Sequence, residues 1–406
     1  MNIVLFSPSW PQHSDANGIV TYCAHMKEAL EGAGHQVFIL SHYMHHECVE
    51  GAYKITYKPS FYDRIIGSIG ERLFPGFEQY YYGAKGIVET LKKIQAICPV
   101  DILEVEESFG WHYYIARRVD IPVVMRLHGP HVLGCKVFGK PMDEYDRQRC
   151  RREQRAFKSA SYVNAPSQWV VDEVKNRYAP LWRIARVFGN PIKLGAPDKR
   201  WNIEQCDQRK ILFVGRFDLL KGGDVIIEAL AKVMAVIPEV HLVFAGPDKG
   251  LLQADGSLLF VDDMLQRHIP GEQRGQIHCL GQVDKETIAQ LRMQCHLSIT
   301  ASRSEVFGYT VVESMAAGMP VVAPNIAGVA ELFEDNISGL YFQPGNADEM
   351  ASHIISFMQD VSQSAQVGEQ AYQRCVQEFS LEKIAEKAAA YYSDVIEAHK
   401  AGCKVK

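Results

Sequence analysis

Asn2-Ile3-Val4-Leu5-Phe6, a loop over residues 7–18, a helical pattern over 19–33 closed by Gly34, then Gln36-Val37-Phe38-Ile39-Leu40: this opening stretch decides the fold. The first run is apolar throughout, as in a strand buried on both faces of a parallel sheet. The loop is rich in Pro, Ser, Asp and Asn. Apolar residues over 19–33 recur at the helical period, and the run after Gly34 again has strand character. Strand, loop, helix, strand is a βαβ unit with a right-handed crossover.

The same rhythm continues outward. Residues 101–105, 122–127 and 162–165 read as strands, a helix follows from Ser167, and 186–188 closes the first series. Over 195–209 the pattern lapses into Gly, Pro, charged and polar residues, where a linker is expected. A second series follows, with strands at 210–214, 240–245, 277–280, 297–300, 320–323 and 340–342. Helices fill its gaps, including 223–237, 285–295 and 310–317. A chain of 406 residues is too long for one ordinary core. The expected fold class is therefore α/β, two Rossmann-like parallel-sheet domains over 1–195 and 196–380. A last helix, 381–396, opens the C-terminal segment 381–406, with Ser380 as its N-cap. Ligands of such sheets lie beyond the carboxyl ends of the strands, and in two domains those ends can face across a cleft.

Composition excludes several classes. The formal net charge of -5 recommends no nucleic-acid partner. No apolar run reaches the ~20 residues that span a bilayer. The start, from Met1, has no basic region ahead of its apolar run and no small-residue cleavage site, so a cytoplasmic protein is expected. The cysteines are scattered with no CxxC pair, the pattern of reduced thiols. His42, His45 and His46 cluster, but no Cys or carboxylate stands at ligand spacing, so a solvated loop is preferred and no metal is expected.

The chemistry concentrates in Ser302-Arg303-Ser304-Glu305-Val306-Phe307-Gly308-Tyr309-Thr310-Val311-Val312-Glu313. A strand ends near Thr300, a loop holds Glu305 to Gly308, and a helix starts near Tyr309. Loop N–H groups and a helix N-terminus make an anion site. Gly308 lets backbone approach a phosphate, and Thr310 adds a hydroxyl. Glu305 and Glu313 flank the helix start rather than meet. That layout suits a ligand with hydroxyls at both ends and phosphate between, because a carboxylate accepts two hydrogen bonds from a diol. A second element, Val214-Gly215-Arg216-Phe217-Asp218-Leu219-Leu220-Lys221-Gly222-Gly223, follows the first strand of the second series. Its Arg216 and Lys221 are phosphate partners, able to stabilise charge on a leaving diphosphate without a metal. Either stretch alone could be an ordinary strand-to-helix turn.

Together they resemble retaining family 4 glycosyltransferases of the GT-B fold. Glu305 and Glu313, with Phe307-Gly308 between them, look like the family signature, and Val214-Gly215-Arg216 with Lys221-Gly222 like its phosphate loop. Gly34-His35-Gln36-Val37, Asn190-Pro191-Ile192, Gly328-Val329-Ala330-Glu331 and Asn336-Ile337-Ser338-Gly339-Leu340 resemble further family segments. The resemblance implies that Glu313 holds the ribose hydroxyls and Glu305 those of the donor sugar. Gly215, Phe307, Gly308, Tyr309 and Thr310 would contact sugar and phosphate, Arg216 and Lys221 would carry the diphosphate, and backbone near Val283 would meet the base. Residues 1–195 would bind the acceptor, and the last helix would return to that domain. Gly18 stands where the family has a Gly-Gly pair facing the diphosphate; Asn17 replaces the first glycine. His128 matches a family histidine near the sugar, against the alternative of a structural histidine ending a strand. Glu104 and Glu106 stand where relatives often place a histidine.

The expected reaction is retaining, metal-independent transfer of a hexose-type sugar from a nucleotide-diphosphate sugar to a hydroxyl acceptor. That donor is a substrate, so no cofactor is expected, and uridine diphosphate (UDP) is the family's commonest carrier. No protein nucleophile is evident, which favours a front-face reaction over double displacement. The rivals are a nucleotide-sugar epimerase and a non-catalytic nucleotide-sugar-binding protein. A dehydrogenase fits poorly, because residues 7–18 hold no GxGxxG. The acceptor, a sugar, a lipid-linked or a small molecule, is not readable. Residues 53–93 interleave Tyr57, Phe61, Tyr62, Phe74, Phe77, Tyr80, Tyr81 and Tyr82 with Lys54, Lys58, Arg64, Arg72 and Lys85. Two readings stay open there: an insertion with its rings packed inward, or a peripheral contact with the inner face of an anionic membrane.

Overall fold

The structure, a computed structural model, describes residues 1–11, 17–44, 49–138, 141–196, 200–253 and 255–403. The chain divides into two compact units, one of Met1–Pro191 with Leu381–Lys406, the other Ile192–Ser380.

The first unit is built on strands β1 (Asn2–Trp10), β2 (Gln36–Met44), β3 (Ala52–Lys54), β4 (Ile102–Glu106), β5 (Val123–Arg126), β6 (Tyr162–Ala165) and β7 (Ile184–Val187). They form one sheet in the order β3-β2-β1-β4-β5-β6-β7, with all neighbours parallel. The helices are α1 (Gly18–Gly32), α2 (Phe61–Leu73), α3 (Phe77–Gln95), α4 (Trp111–Ile115), α5 (His131–Phe138), α6 (Glu144–Ser159) and α7 (Gln168–Tyr178). Asn17 caps α1, its side chain accepting from Ile19 N at 2.9 Å.

The second unit holds β8 (Asp207–Val214), β9 (His241–Ala245), a short hairpin of β10 (Leu251–Leu252) and β11 (Leu258–Leu259), then β12 (Ile277–Cys279), β13 (Cys295–Ile299), β14 (Val321–Pro324) and β15 (Leu340–Phe342). Its parallel sheet runs β12-β9-β8-β13-β14-β15. Around it lie α8 (Gly223–Val236), α9 (Val261–His268), α10 (Lys285–Gln294), α11 (Tyr309–Ala317), α12 (Ala347–Gln359) and α13 (Val361–Glu378). The chain then enters α14 (Leu381–Cys403), which packs on α1 in the first unit. Among the described residues no helix is long and apolar enough to cross a membrane.

Several expectations need correcting. The loop expected from Ser7 begins later, because β1 runs on to Trp10 and pairs as Ser9↔Tyr43 and Trp10↔Met44 with an equally extended β2. Ser7, polar and buried, donates its hydroxyl to Ser9 O at 2.8 Å and so fits the strand. The described part of the polar stretch 195–209 is not a free tether. Trp201 is buried, and its indole donates to Cys295 O at 2.8 Å. Of the histidine cluster, His42 packs edge-on against Phe6 and tilted against Trp111, centroids 5.4 and 5.0 Å away, rather than in a solvated loop. His45 and His46 lie outside the described residues.

In the first unit Glu104, Arg126, Asn164 and Asn190 form a buried polar network. Glu104 in β4 accepts from Tyr22 of α1 (2.6 Å), Asn164 of β6 (2.6 Å) and Tyr392 of α14 (2.8 Å). The fully buried Arg126 donates to Asn164 (3.2 Å) and Asn190 (2.7 Å) and lies over the Tyr22 ring. A buried charge stays only when paired and hydrogen-bonded, so these partners hold α14 and the Asn190 turn against the sheet.

Candidate active site

In the second unit the residues expected at the site gather at the carboxyl edge of the sheet, where βα loops meet helix starts. The loop after β8 and the loop after β13 are bound to one another. Arg303 N donates to Leu220 O (2.8 Å), and the Arg303 guanidinium grips Leu219 O (2.6 Å) and Asp224. A Cβ on Gly222 would stand 2.1 Å from Ala301 O, so only glycine lets the loops come this close. Gly222 and Gly308 are the N-caps of α8 and α11. Both are in the left-handed conformation and neither makes a side-chain capping bond, leaving backbone donors at the helix starts.

On this frame Lys221 Nζ pairs with Glu305 Oε1, which also accepts from the Ser302 hydroxyl at 3.0 Å. Asp218 organises the loop: one oxygen accepts Lys221 N (2.7 Å), the other Arg216 Nε (2.7 Å). Arg216 and Lys221, expected as cations aimed at a ligand, each have a carboxylate partner within the protein. Glu313, on α11, pairs with Arg292 of α10. Arg292 was not anticipated. Its side chain is 9% exposed, and a mostly buried cation facing a candidate ligand carboxylate is a signal that α10's local periodicity does not carry. Glu305 and Glu313 thus take different cations.

The neighbouring positions divide between lining and core. Phe307 is buried, its ring edge-on to Tyr309 and Phe379 at 5.5 and 5.7 Å, so only its backbone is available to a ligand. Thr310 is half-buried on the first turn of α11. Gly215 and Gly246 lie back to back, since a Cβ on Gly246 would sit 1.8 Å from Gly215 O. Gly246 N donates to Gly281 O at 2.8 Å, drawing the turn before the half-buried Val283 to the same edge.

In the first unit, Gly18 opens α1 and is exposed. His128 follows β5, its ring edge-on to Tyr22 at a centroid distance of 5.0 Å. Burial, and then the Arg126 guanidinium, hold its pKa well below the usual value, so its imidazole is neutral near pH 7.

Beside it lies a feature the sequence did not disclose. Glu106 and Glu107 are buried at the end of β4. Glu107 accepts from His128 N (2.9 Å) and Gly129 N (2.5 Å), while Glu106 accepts from Ser108 Oγ (3.2 Å). Burial, with the neighbouring Glu107 charge second, pushes Glu106 up to about 8, and burial pushes Glu107 up to about 7. The ordinary value is 4.5, so the folded chain holds protons that the unfolded chain releases within this window. These two carboxyls therefore contribute stability that is lost as pH rises from about 4.5 towards about 8, while His128, its pKa lowered by burial, contributes with the opposite sign. Thermal unfolding of the chain at stepped pH tests this. Glu106→Gln should lose less stability than the wild type across this window, and an identical pH dependence in the two would count against Glu106.

His131, Cys135 and Asp146 bring ligand atoms within 4.8 Å of one another. The donor set suits a borderline cation, but His131 Nε2 is already 2.8 Å from Asp146.

Known proteins are similar to this chain over both units. The family model described as Glycosyltransferase Family 4 matches residues 16–194, and the one described as Glycosyl transferases group 1 matches residues 197–374. An uncharacterized glycosyltransferase of Methanocaldococcus jannaschii is 24% identical over 98% of this chain and 99% of its own. The solved sucrose-phosphate synthase of Thermosynechococcus elongatus matches with TM-score 0.71 at 20% identity, covering 98% of this chain and 99% of that one. Anabaena HepE, solved in complex with UDP, matches with TM-score 0.68 at 19% identity, covering 97% and 100%.

Proposed function

This chain belongs to the group 1, family 4 glycosyltransferases of the GT-B fold, and from that premise we propose that it transfers a hexose-type sugar from a nucleoside-diphosphate sugar to a hydroxyl acceptor with retention of configuration. The observation that carries the reading is the pairing of Lys221 with Glu305 beside the glycine-capped start of α11. A diphosphate entering there meets Lys221, Arg216 and the helix end, which together neutralise the charge that grows as the glycosidic bond breaks. Glu305 is then placed for the donor sugar's hydroxyls and Glu313, steadied by Arg292, for the ribose. Backbone at Phe307, Gly308 and Tyr309, with the Thr310 hydroxyl, completes the cradle, and the turn at Val283 meets the base. Uridine diphosphate is the proposed carrier; HepE, which shares the fold, has been solved with UDP and with UDP-glucose. The charge balance uses protein cations and no metal.

No protein carboxylate is left over as a nucleophile among the residues assigned to the donor. We therefore take the leaving phosphate to accept the acceptor's proton as the new bond forms on the face the diphosphate leaves. Gly18 is assigned to the donor's diphosphate and the neutral His128 to the reacting sugar. The acceptor itself, sugar, lipid-linked or small, is proposed only as a hydroxyl compound.

A thermal-shift screen of nucleoside diphosphates and their sugars, followed by turnover of the stabilising donor with and without hydroxyl acceptors and with chelator, tests the reading. Acceptor-dependent transfer giving the donor's own anomer, indifferent to chelator, is expected. Donor isomerisation without acceptor would make the protein an epimerase instead, and tight binding with neither transfer nor hydrolysis would make it a binding protein.

A further inference from the structure

Helix α2 in the first unit is folded with its apolar side out. Its buried residues are Asp63, Gly67 and Gly70, at spacings of one helical turn. Asp63 is tied to Lys85 Nζ (2.6 Å), Tyr81 (2.9 Å) and Tyr57 (2.5 Å), and Lys85 above all holds its carboxyl below the usual range. A Cβ on Gly67 would lie 2.1 Å from the Tyr82 hydroxyl, and one on Gly70 would lie 2.1 Å from the Phe77 ring. The rings of 53–93 therefore divide: Tyr57, Phe77, Tyr81 and Tyr82 pack around this seam, while the opposite side of α2 shows Phe61, Tyr62, Ile65, Ile66, Ile69 and Leu73. Phe61 is 74% exposed, Tyr62 76% and Leu73 63%; Phe74, just past the end, is also exposed.

At 100° per residue these six side chains fill one arc of the helix, and water-facing helices carry the reverse pattern. The charge on the same surface has one sign. Arg64, Ser68 and Arg72 recur at spacing four along one flank, and Arg64 and Arg72 are the exposed ionic side chains of α2. Its acids are occupied, Asp63 in the seam and Glu71 by the backbone N–H groups of Gly76 (2.8 Å) and Glu78 (2.9 Å). Lys54 and Lys58, also exposed, lead into it. An apolar arc edged by cations with no competing carboxylate complements the interface of a bilayer rich in anionic lipid.

We propose that α2 is an interfacial anchor, lying in the plane of an anionic membrane with Phe61, Tyr62, Ile65, Ile66, Ile69 and Leu73 in the acyl boundary and Arg64 and Arg72 among the headgroups. The anchor works through the first unit's surface and needs no nucleotide, so it stands or falls apart from the donor reading.

The test is co-sedimentation of the full chain with vesicles of phosphatidylcholine alone or mixed with phosphatidylglycerol, at low and high salt. Binding to the mixed vesicles, weakened by salt, is expected. Ile65→Asp combined with Ile69→Asp should reduce it by at least about tenfold, and Arg64→Gln with Arg72→Gln should remove the salt sensitivity and the preference for phosphatidylglycerol. All four positions are exposed, so thermal unfolding should be unchanged, as should any turnover with a soluble acceptor. No vesicle binding by the wild type, equal binding to phosphatidylcholine alone, or undiminished binding by the Ile65/Ile69 variant would overturn the proposal. So would a wild-type dimer in analytical centrifugation that the Ile65/Ile69 variant splits, since the face would then belong to a second copy.

Discussion

Lys221→Ala is expected to lower the transfer rate by roughly a hundred- to a thousandfold, the scale for removing one fixed donor aimed at developing charge. The argument rests on how the residue is held. Its backbone N–H is fixed by Asp218 at 2.7 Å, so the turn survives loss of the side chain. Its side chain, paired with Glu305, is 23% exposed. Glu305 retains Ser302 as a donor when the ammonium is lost, and unfolding curves of the same variant read any loss of stability separately from the loss of rate. The loss should fall on kcat, because diphosphate charge is greatest as the bond breaks. Lys221→Arg keeps the charge but exchanges a compact ammonium for a planar fork and should restore only part of the rate. An unchanged kcat in the alanine variant would remove Lys221 from the diphosphate site, and with it the centre of the functional proposal.

Glu313→Ala should raise the donor KM by well over tenfold, more than ~1.4 kcal/mol of binding, and should also destabilise the second unit. Both effects follow from one contact. Glu313, one turn into α11, is 31% exposed, while its partner Arg292 is mostly buried. Removing the carboxylate leaves a guanidinium without its counter-charge. Glu313→Gln separates the two consequences. The amide oxygen can still accept from Arg292, so folding should largely recover, whereas a carboxylate's capacity to bind both hydroxyls of a ribose does not return. Unfolding curves and donor KM, measured on both variants, read them independently. A glutamine variant with normal stability and an unaltered KM would show Glu313 to be a partner of Arg292 and nothing more.

Parts of this site are legible in the amino-acid sequence because they are local. Glu305, Gly308, Thr310 and Glu313 fall on one loop and one helix start, and Gly215, Arg216 and Lys221 on another. A glycine at a helix N-cap or a cation in a βα loop has the same meaning wherever the loop lies. Asp218 stands in the same loop as Arg216 and Lys221, yet its part in holding them depends on the turn closing, which residue types alone do not reveal. Arg292 is further removed, on a different helix from Glu313. The Glu106–Glu107 pair is visible as letters, but burial is what raises its carboxyls, and burial belongs to the assembled sheet edge.

The chain alone determined the alternation of strands and helices, the parallel sheets it implies and the two glycine-bearing loops that follow β8 and β13, because period and turn chemistry act over a few neighbouring residues. Folding in three dimensions decided which charges pair, how the polar core is closed and which side of α2 faces water. Tyr392 reaches Glu104 across 288 positions, and no window of sequence contains both. An amphipathic period, likewise, states that a helix has two faces; only the close fit of Gly67 and Gly70 against α3 settles which one is inside.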